Sequence, residues 1–151
     1  MIKDNLDLKI IQLLKKNSRF SYAQIGREIG LSSSAVGERV LRLEDTGVIL
    51  SYTSELNYVK LGYSLSSYIS MSFKDNQFYP FLELVGNFSE ILECSRITGV
   101  HCLIMKVVVR DNYHLEQFID ILSQYGTPST SVILSDIVTG GKVTNNKCVQ
   151  L

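Results

Sequence analysis

Apolar residues near the start of the chain recur with helical spacing. The first stripe consists of Leu6, Ile10, Leu13 and Leu14. It predicts a helix over residues 4–16, and two further stripes predict a short helix over residues 21–29 and a third helix that ends at Gly47. Three short helices within so few residues indicate a compact helical unit.

Polar residues and glycines stand where these three helices should begin and end. Asp4 is placed to cap the first helix, Ser21 and Gln24 have the spacing of a capping box, and Ser32 is placed to cap the third helix. Gly30 suits the tight turn between the second and third helices. The region from Ser21 to Leu43 therefore predicts a helix-turn-helix.

After Gly47 the period of the pattern changes from helical to two. Residues 50–56 alternate between apolar and polar, which predicts a strand or hairpin arm. The remainder predicts the order β-α-β-β-α-β, with elements over residues 65–73, 78–85, 91–98, 101–110, 115–122 and 129–139. This order is typical of a ferredoxin-like sandwich, in which two helices cover one face of an antiparallel sheet. The predicted fold class is α+β.

The change of pattern divides the chain into three parts. We expect a helix-turn-helix domain at 1–50, a linking arm at 51–63 and a ferredoxin-like βαββαβ domain at 64–151. The sheet face without helices is predicted to carry Tyr68, Ile104, Val108, Ile133 and Ile137. This face is too apolar for a solvated surface, and each domain alone is small, so we expect a dimer formed through the sheet.

Composition restricts the class of protein further. Apolar residues make up 45% of the 151 residues and charged residues 20%, which excludes a disordered polypeptide. No apolar run exceeds four residues, so we expect no membrane-spanning helix and a cytoplasmic protein. Cys94, Cys102 and Cys148 are odd in number and lack close pairing, which favours free thiols over disulfides.

The predicted third helix offers chemistry that suits DNA. The overall charge is zero, but residues 1–60 hold nine Lys and Arg against seven Asp and Glu. The candidate contacts to bases or groove are Ser33, Ser34, Gly37, Glu38 and Arg42, and the candidates for phosphates or helix support are Ser21, Ser32 and Arg39. Lys9, Lys15 and Lys16 are further candidates for phosphates. Small polar and basic residues near a helix N-terminus permit close approach to the major groove.

The same residues could instead serve only the fold of the helical unit. Any three-helix bundle exposes serines and arginines, and Arg39 could pair with Glu38, Glu28 or Asp45. Gly37 could serve helix packing instead of DNA approach.

The succession of motifs resembles the Lrp/AsnC family of transcriptional regulators. The resemblance rests on Asp4, Asp7, Ile10, Ile11, Leu14, the run 17–21, Ile25, Gly26, the run 30–32, Val36, Arg39, Val40, the run 42–44, the run 47–49, Tyr52, Thr53, Leu56, Asn57, Leu61, Gly62 and the run 96–99. It spans roughly residues 4–139. It implies a winged-type helix-turn-helix that binds double-stranded DNA and a sandwich that forms dimers and often tetramers or octamers.

The resemblance also implies a site for a small effector, such as an amino acid, beside the loop that follows Thr98 and Gly99. Carried over by position, the effector candidates are Gly99, Val100, His101, Cys102 and Ser135, the last on the final strand. Val100 and Cys102 stand where many relatives carry acidic residues, so the charge that would hold an α-ammonium group is missing here.

An enzyme or a stand-alone small-molecule sensor with the same architecture is the alternative. Siroheme decarboxylases resemble this family, and His101 or Arg96 would then be the reactive groups. Neither histidine has an evident nucleophile as partner. Cys94, His101 and Cys102 lack the spacing of a usual zinc site, so we expect no metal, no cofactor and no catalytic residues.

Overall fold

The structure, a computed structural model, describes residues 4–139 and 142–143, with side chains up to residue 137. The chain divides into two compact units, Met1–Glu55 and Leu56–Leu151. Cys94 and Cys102 carry free thiols, and Cys148 lies outside the described residues. No helix in the described ranges is long and apolar enough to cross a bilayer.

The first unit contains three helices, α1 (Asn5–Lys16), α2 (Tyr22–Ile29) and α3 (Ser33–Asp45). Each begins at a capping side chain that the sequence predicted. Asp4 accepts hydrogen bonds from the backbone N–H groups of Leu6 and Asp7, at 3.0 and 3.1 Å. The capping box of Ser21 and Gln24 forms in both directions. These bonds satisfy N–H groups that have no partner within the helix.

Two glycines end α2 and α3 in the left-handed conformation, which residues with a Cβ rarely adopt. Gly30 has a φ angle of 75° and Gly47 a φ angle of 68°. After α3 the N–H groups of Gly47 and Val48 donate to the carbonyl groups of Glu44 and Leu43, at 2.9 and 2.8 Å. This Schellman arrangement turns the chain sharply back over the helix.

One apolar cluster holds the three helices together. Its buried members are Ile10, Leu14, Ile25, Val36, Val40 and Leu43. Because the cluster takes residues from all three helices, the opposite face of α3 remains free for solvent or a partner.

The predicted strand over residues 50–56 is wrong for the single chain. Residues 46–57, all within the described part, form turns and irregular backbone, and Val59–Leu61 form a short 3-10 helix. Leu50 is 88% exposed. An alternating segment forms a strand only when a neighbouring strand takes its backbone hydrogen bonds, and no described residue offers such a strand to this segment.

The second unit has the predicted β-α-β-β-α-β order. Its elements are β1 (Leu65–Phe73), α4 (Phe78–Leu84), β2 (Ile91–Arg96), β3 (Leu103–Val109), α5 (Asn112–Ser123) and β4 (Gly126–Val132), with a 3-10 turn Val85–Asn87 after α4. The sheet order is β2-β3-β1-β4, and every pair is antiparallel. This is the topology of the ferredoxin-like sandwich.

The helices cover one face of the sheet. The core under them contains Ile69, Met71, Phe81, Leu103, Met105, Val107, Val109, Leu115, Phe118 and Leu122. Successive strand residues point to opposite faces, so the even-numbered residues of β1 and β3 lie on the uncovered face.

The uncovered face is less apolar than the sequence predicted. Tyr68, Ile104 and Val108 lie on it, but the register adds the polar residues Ser66, Ser70, Ser72, Lys106, Thr127, Ser129 and Ser131. Val108 is 1% exposed and Ile137 lies beyond the sheet. On β1 and β3 the prediction named only the apolar residues of this face, and on the last strand it used residues 129–139, most of which lie beyond the strand.

The last strand is Gly126–Val132 instead of 129–139. A two-residue strand β5 (Val138–Thr139) follows and pairs with β6 (Lys142–Val143). A Cβ on Gly126 would overlap the carbonyl oxygen of Ser72 in β1. Glycine therefore permits the close approach at which this pairing begins, and the hydrophobic pattern gives no sign of it.

Candidate nucleic-acid interface

The outer face of α3 is exposed and carries small and acidic residues. Its exposed side chains are Ser33, Ser34, Glu38, Leu41 and Asp45. The opposite face is fixed by the buried Val36, Val40 and Leu43. Three predicted contacts, Ser33, Ser34 and Glu38, thus lie together on a rigid surface, and Leu41 joins them. Leu41 was not among the sequence candidates, which were all polar residues or glycine.

Ser21 and Ser32 lie at the N-termini of α2 and α3 and serve as caps. The hydroxyl of Ser32 accepts from the N–H of Ala35 at 3.2 Å and lies 3.0 Å from the hydroxyl of Ser34. The hydroxyl of Ser21 accepts from the N–H of Gln24 at 3.3 Å. These bonds correspond to the helix-support role predicted as one option for both serines.

Gly37 lies on the side of α3 that faces α2. A Cβ at this position would come within 3.3 Å of the Tyr22 ring, and Gly37 is only half exposed. Its small size thus accommodates an aromatic ring of the neighbouring helix. The packing interpretation left open in the sequence explains this glycine directly.

Arg42 does not face outward as the sequence suggested, and Arg39 is held by carboxylates, which corresponds to the helix-support role predicted as one of its two options. The Nη1 of Arg39 donates to both oxygens of Asp4 at 2.9 Å and to Asp7 at 2.7 Å. The Nη2 of Arg42 donates to the two oxygens of Asp7 at 2.8 and 2.7 Å. The alternative partners named for Arg39, which were Glu38, Glu28 and Asp45, are wrong as well.

We call Asp4, Asp7, Arg39 and Arg42 the α1–α3 charge cluster. Asp7 is 0% exposed, whereas the arginine side chains are 22% and 29% exposed. Burying one carboxylate is costly, and two guanidinium groups with close hydrogen bonds offset that cost. The cluster therefore ties the middle of α3 to the start of α1 and orients both arginines toward the protein.

The cluster also lowers the pKa of Asp4. The backbone N–H of Asp7 is the main cause, burial opposes it, and Arg39 adds to the lowering through its hydrogen bond and charge. The pKa of Arg39 is raised, chiefly by its hydrogen bonds to Asp7 and Asp4. Both shifts favour the charged forms, so Asp4 and Arg39 remain charged at neutral pH.

A spacing in the sequence could have revealed this cluster. Two acids lie three residues apart at the cap and first turn of α1, and two arginines lie three residues apart on α3. Residues three apart share a helix face, so each pair presents one line of charge. The sequence predicted a role only in capping for Asp4 and no ion pair for Asp7.

Exposed cations of the first unit lie outside α3. They are Lys9, Lys15, Lys16, Arg19 and Arg27, and none of them forms an ion pair with a described residue. Lys15, Lys16 and Arg19 line a groove of about 770 Å³ between the end of α1 and residues 48–55. Arg19 and Arg27 were not among the sequence candidates.

Tyr52 fixes the position of residues 48–55, which line that groove opposite α1. Its hydroxyl donates to Glu44 of α3 at 2.7 Å. Burial, with help from Glu44, raises the pKa of Tyr52 to about 12, so the phenol stays protonated and able to donate. This bond gives the irregular segment after α3 a defined position.

The predicted effector loop lies between β2 and β3. Gly99, Val100 and Cys102 are exposed, and His101 is half-buried. Ser72 of β1, which the sequence analysis missed, supports the loop: its hydroxyl donates to the carbonyl of Val100 at 3.0 Å and lies 3.1 Å from the Nδ1 of His101. Ser135 is exposed and follows the last strand of the main sheet, so its predicted place on a strand is wrong.

The residues named for an enzyme are engaged in structural contacts. The guanidinium of Arg96 lies 5.0 Å above the Phe78 ring, and His101 adjoins Ser72. Within the described residues, no group of three His, Cys, Asp or Glu side chains is arranged to hold a metal ion. Arg96 and His101 thus have contacts within their own unit, with Phe78 and Ser72.

His114 at the start of α5 forms hydrogen bonds to the backbone and to a carboxylate. Its Nδ1 accepts from the N–H of Arg110 at 3.3 Å, so its Nε2 donates to Glu90 at 3.0 Å. Burial raises the pKa of Glu90, but bonds from its own N–H, His114 and Ser89 lower it more, and the net pKa lies below the usual value. The pair joins α5 to the start of β2.

Glu90→Gln is expected to lower the free energy of unfolding by about 1 kcal/mol at neutral pH, the usual contribution of one hydrogen bond. A lowered carboxyl pKa stabilises the fold above the unfolded value and loses this effect as pH falls through the folded value. The deficit of the variant should therefore shrink between pH 5 and pH 3, measured by urea unfolding. Glu93→Gln, exposed on β2, is the control. A deficit that grew on acidification would contradict the assignment.

Known proteins match both units of the chain. The family described as the AsnC-type helix-turn-helix domain matches residues 4–44, and the Lrp/AsnC ligand binding domain matches residues 66–143. The transcriptional regulator LrpC of Bacillus subtilis is 38% identical over 136 residues, which cover 90% of this chain and 94% of that protein. The uncharacterised regulator YezC of the same organism is 36% identical over 132 residues, 87% of this chain and 94% of the relative.

Solved structures agree with the sequence matches. The structure of B. subtilis LrpC superimposes with a TM-score of 0.88 at 37% identity and covers 92% of this chain and 99% of its own. The regulator NMB0573 of Neisseria meningitidis, solved as an L-Met complex, has a TM-score of 0.86 at 24% identity, covers 96% of this chain and 98% of its own, and shows the shared fold. With both domains matched in their expected order, the chain belongs to the Lrp/AsnC family of transcriptional regulators.

Proposed function

We propose that this protein regulates transcription by placing α3 in the major groove of double-stranded DNA. The observation that carries the proposal is the outer face of α3, where Ser33, Ser34 and Glu38 are exposed while Val36 and Val40 are buried. A recognition helix must be held rigidly from behind and must present polar groups to base edges. The capped N-terminus of α3 also favours a nearby phosphate group.

Affinity for the backbone comes from cations outside α3. Lys15, Lys16 and Arg19 line the groove beside α1, and Arg27 projects from α2. None of these cations forms an ion pair with a carboxylate of a described residue. Each phosphate neutralised by a cation releases counterions, so binding should weaken steeply as salt concentration rises.

The active form is a dimer or a higher oligomer such as a tetramer or octamer. A two-fold dimer would place two α3 helices in successive major-groove segments of a roughly palindromic site. The exposed Leu50, Tyr52 and Leu56, together with Tyr68 on the uncovered sheet face, are apolar surface available for such contacts. The protein acts in the cytoplasm, where the DNA of its bacterial relatives lies, and it is a regulator and not an enzyme.

The second unit responds to an amino acid or another small effector at the loop of Gly99, Val100, His101 and Cys102. A relative of the same fold is described as a complex with L-Met. Ser72 holds this loop through Val100 and His101, so an effector that displaces the loop would also disturb β1. DNA titrations repeated with each amino acid present test this part of the proposal.

Ser34→Asp separates DNA binding from folding. An acid in the first turn of a helix favours the N-terminal end of the helix dipole, so stability should be unchanged or slightly higher. In the complex the new carboxylate would repel the negatively charged phosphates of DNA. We therefore expect the affinity for duplex DNA to fall at least about tenfold. Electrophoretic mobility shift and thermal unfolding measure the two effects.

Asn112→Asp is the matched control. It adds the same charge to the first turn of α5, where Asn112 is exposed in the second unit. DNA affinity should then be unaltered. Equal affinities of Ser34→Asp and the unmodified protein would refute the placement of α3 in the groove.

A further inference from the structure

We propose that Leu41 determines part of the DNA sequence preference by contacting the C5-methyl group of a thymine. The inference rests on the proposed function, because it requires α3 to lie in the major groove. Leu41 is 58% exposed, although the leucine two positions later, Leu43, is fully buried. Leu41 therefore belongs to the outer face of α3 and not to the core.

The spacing of the outer face places Leu41 beside the polar candidates. Ser34, Glu38 and Leu41 occur at i, i+4 and i+7, the positions that form one line along a helix. The neighbouring Val40 is 1% exposed, which anchors the backbone behind Leu41. Leu41 thus occupies a fixed position on the C-terminal half of the outer face of α3.

Glu38 and Leu41, in the line of residues just described, are unsuited to binding the phosphates of the DNA backbone. Leucine has no hydrogen-bond donor for a phosphate oxygen, and Glu38 carries the same sign of charge as a phosphate. The two arginines of α3 are directed to Asp4 and Asp7 in the α1–α3 charge cluster. If this face meets DNA, the part that carries Glu38 and Leu41 must therefore lie over base edges and not over phosphates.

The base edges of the major groove contain one apolar group. Guanine, cytosine and adenine present donors and acceptors there, whereas thymine adds a methyl group at C5. A leucine that faced only donors and acceptors would leave them without hydrogen bonds and without water. Thymine is therefore the base that a fixed, exposed leucine at this position favours.

Removal of the single methyl group tests the inference. The intact protein first selects duplexes from a pool of random sequence, and each thymine of the recovered site is then replaced in turn by deoxyuridine, which lacks only the methyl group. We expect deoxyuridine at one thymine of each half-site to weaken binding about fourfold, the effect of exposing one methyl group to water.

Two leucine variants identify the side chain responsible. Leu41→Ala should bind the thymine and deoxyuridine duplexes at that position with equal affinity. Leu8→Ala is the matched control, because Leu8 is a 45% exposed leucine on α1 of the same unit, and it should keep the fourfold difference. Thermal unfolding should show both variants folded, because both side chains are exposed.

The outcomes separate this inference from the proposed function. Selection of a defined duplex in which no thymine is sensitive to deoxyuridine would overturn the role of Leu41 while α3 remained a DNA-reading helix. A sensitivity that persisted in Leu41→Ala would overturn it as well. Failure to select any duplex would instead refute the proposed function itself.

Discussion

Gly26→Ala is expected to destabilise the first unit by about 3 kcal/mol, the upper part of the range for overpacking a tight site. A Cβ at Gly26 would overlap the carbonyl oxygen of Leu31, a backbone atom of the turn into α3. That turn is fixed by the N–H of Leu31, which donates to the carbonyl of Gly26 at 2.9 Å. The backbone cannot move away without displacing α3, so DNA binding should be lost as well.

Helix propensity alone gives the opposite sign for this substitution. Alanine in a helix is favoured over glycine by about 1 kcal/mol, so a local view would predict a more stable α2. Urea unfolding of the variant decides between the two effects. An unchanged or higher stability would show that the turn yields easily and would contradict the steric argument.

Gly86→Ala is the control for Gly26→Ala. No atom lies within 4 Å of a Cβ at Gly86, and its φ angle is not positive. A glycine in an unstrained, open position usually gains up to about 1 kcal/mol on replacement by alanine, because the unfolded chain loses freedom. Both variants add one methyl group, and only the one at Gly26 meets a backbone atom. The difference between their stabilities therefore measures the steric effect.

Asp7→Ala is expected to lower the free energy of unfolding by about 3 kcal/mol. Removing one partner of a buried ion pair leaves the other charge without compensation. Here Arg42 would lose two hydrogen bonds and Arg39 one, while the Nε of Arg42 is already buried without a described partner. Chemical unfolding at neutral pH measures the loss. Asp120→Asn, an exposed carboxylate on α5, should change stability by no more than about 0.5 kcal/mol.

A double-mutant cycle distinguishes the structural role of Arg42 from a DNA contact. If Asp7 and Arg42 act as one unit, the stability losses of Asp7→Ala and Arg42→Ala should be strongly non-additive. DNA affinity of the two variants should then fall by similar factors, because both disturb the position of α3. A much larger loss of affinity in Arg42→Ala alone would restore the direct contact that the sequence suggested.

Local features of the chain were predictable because they depend on neighbours in the sequence. The caps at Asp4, Ser21 and Ser32 and the left-handed Gly47 satisfy backbone groups within a few residues, so short motifs identify them. The order of strands and helices followed in the same way from changes of period. The exposed serines of α3 followed from the position of its buried stripe.

The directions of the two arginine side chains of α3 could not be predicted from sequence neighbours. A helical wheel gives the direction of a Cα–Cβ bond, but a long side chain reaches several ångströms further and binds whatever charge is there. Arg42 bends toward Asp7, 35 positions earlier in the chain. The extended arm was misjudged for a related reason, because a strand depends on a neighbour that periodicity does not supply.

The sequence by itself determined the two-part α+β architecture, the helix limits and the family, because hydrophobic period, capping residues and ordered motifs act over short distances or along the whole chain. Only the tertiary structure decided which charges remain available. Packing α1 against α3 buries Asp7 and draws Arg39 and Arg42 to it, and this leaves serines, Glu38 and Leu41 on the outer face of α3. Electrostatic partners are set by distance in space, and the linear pattern does not contain those distances.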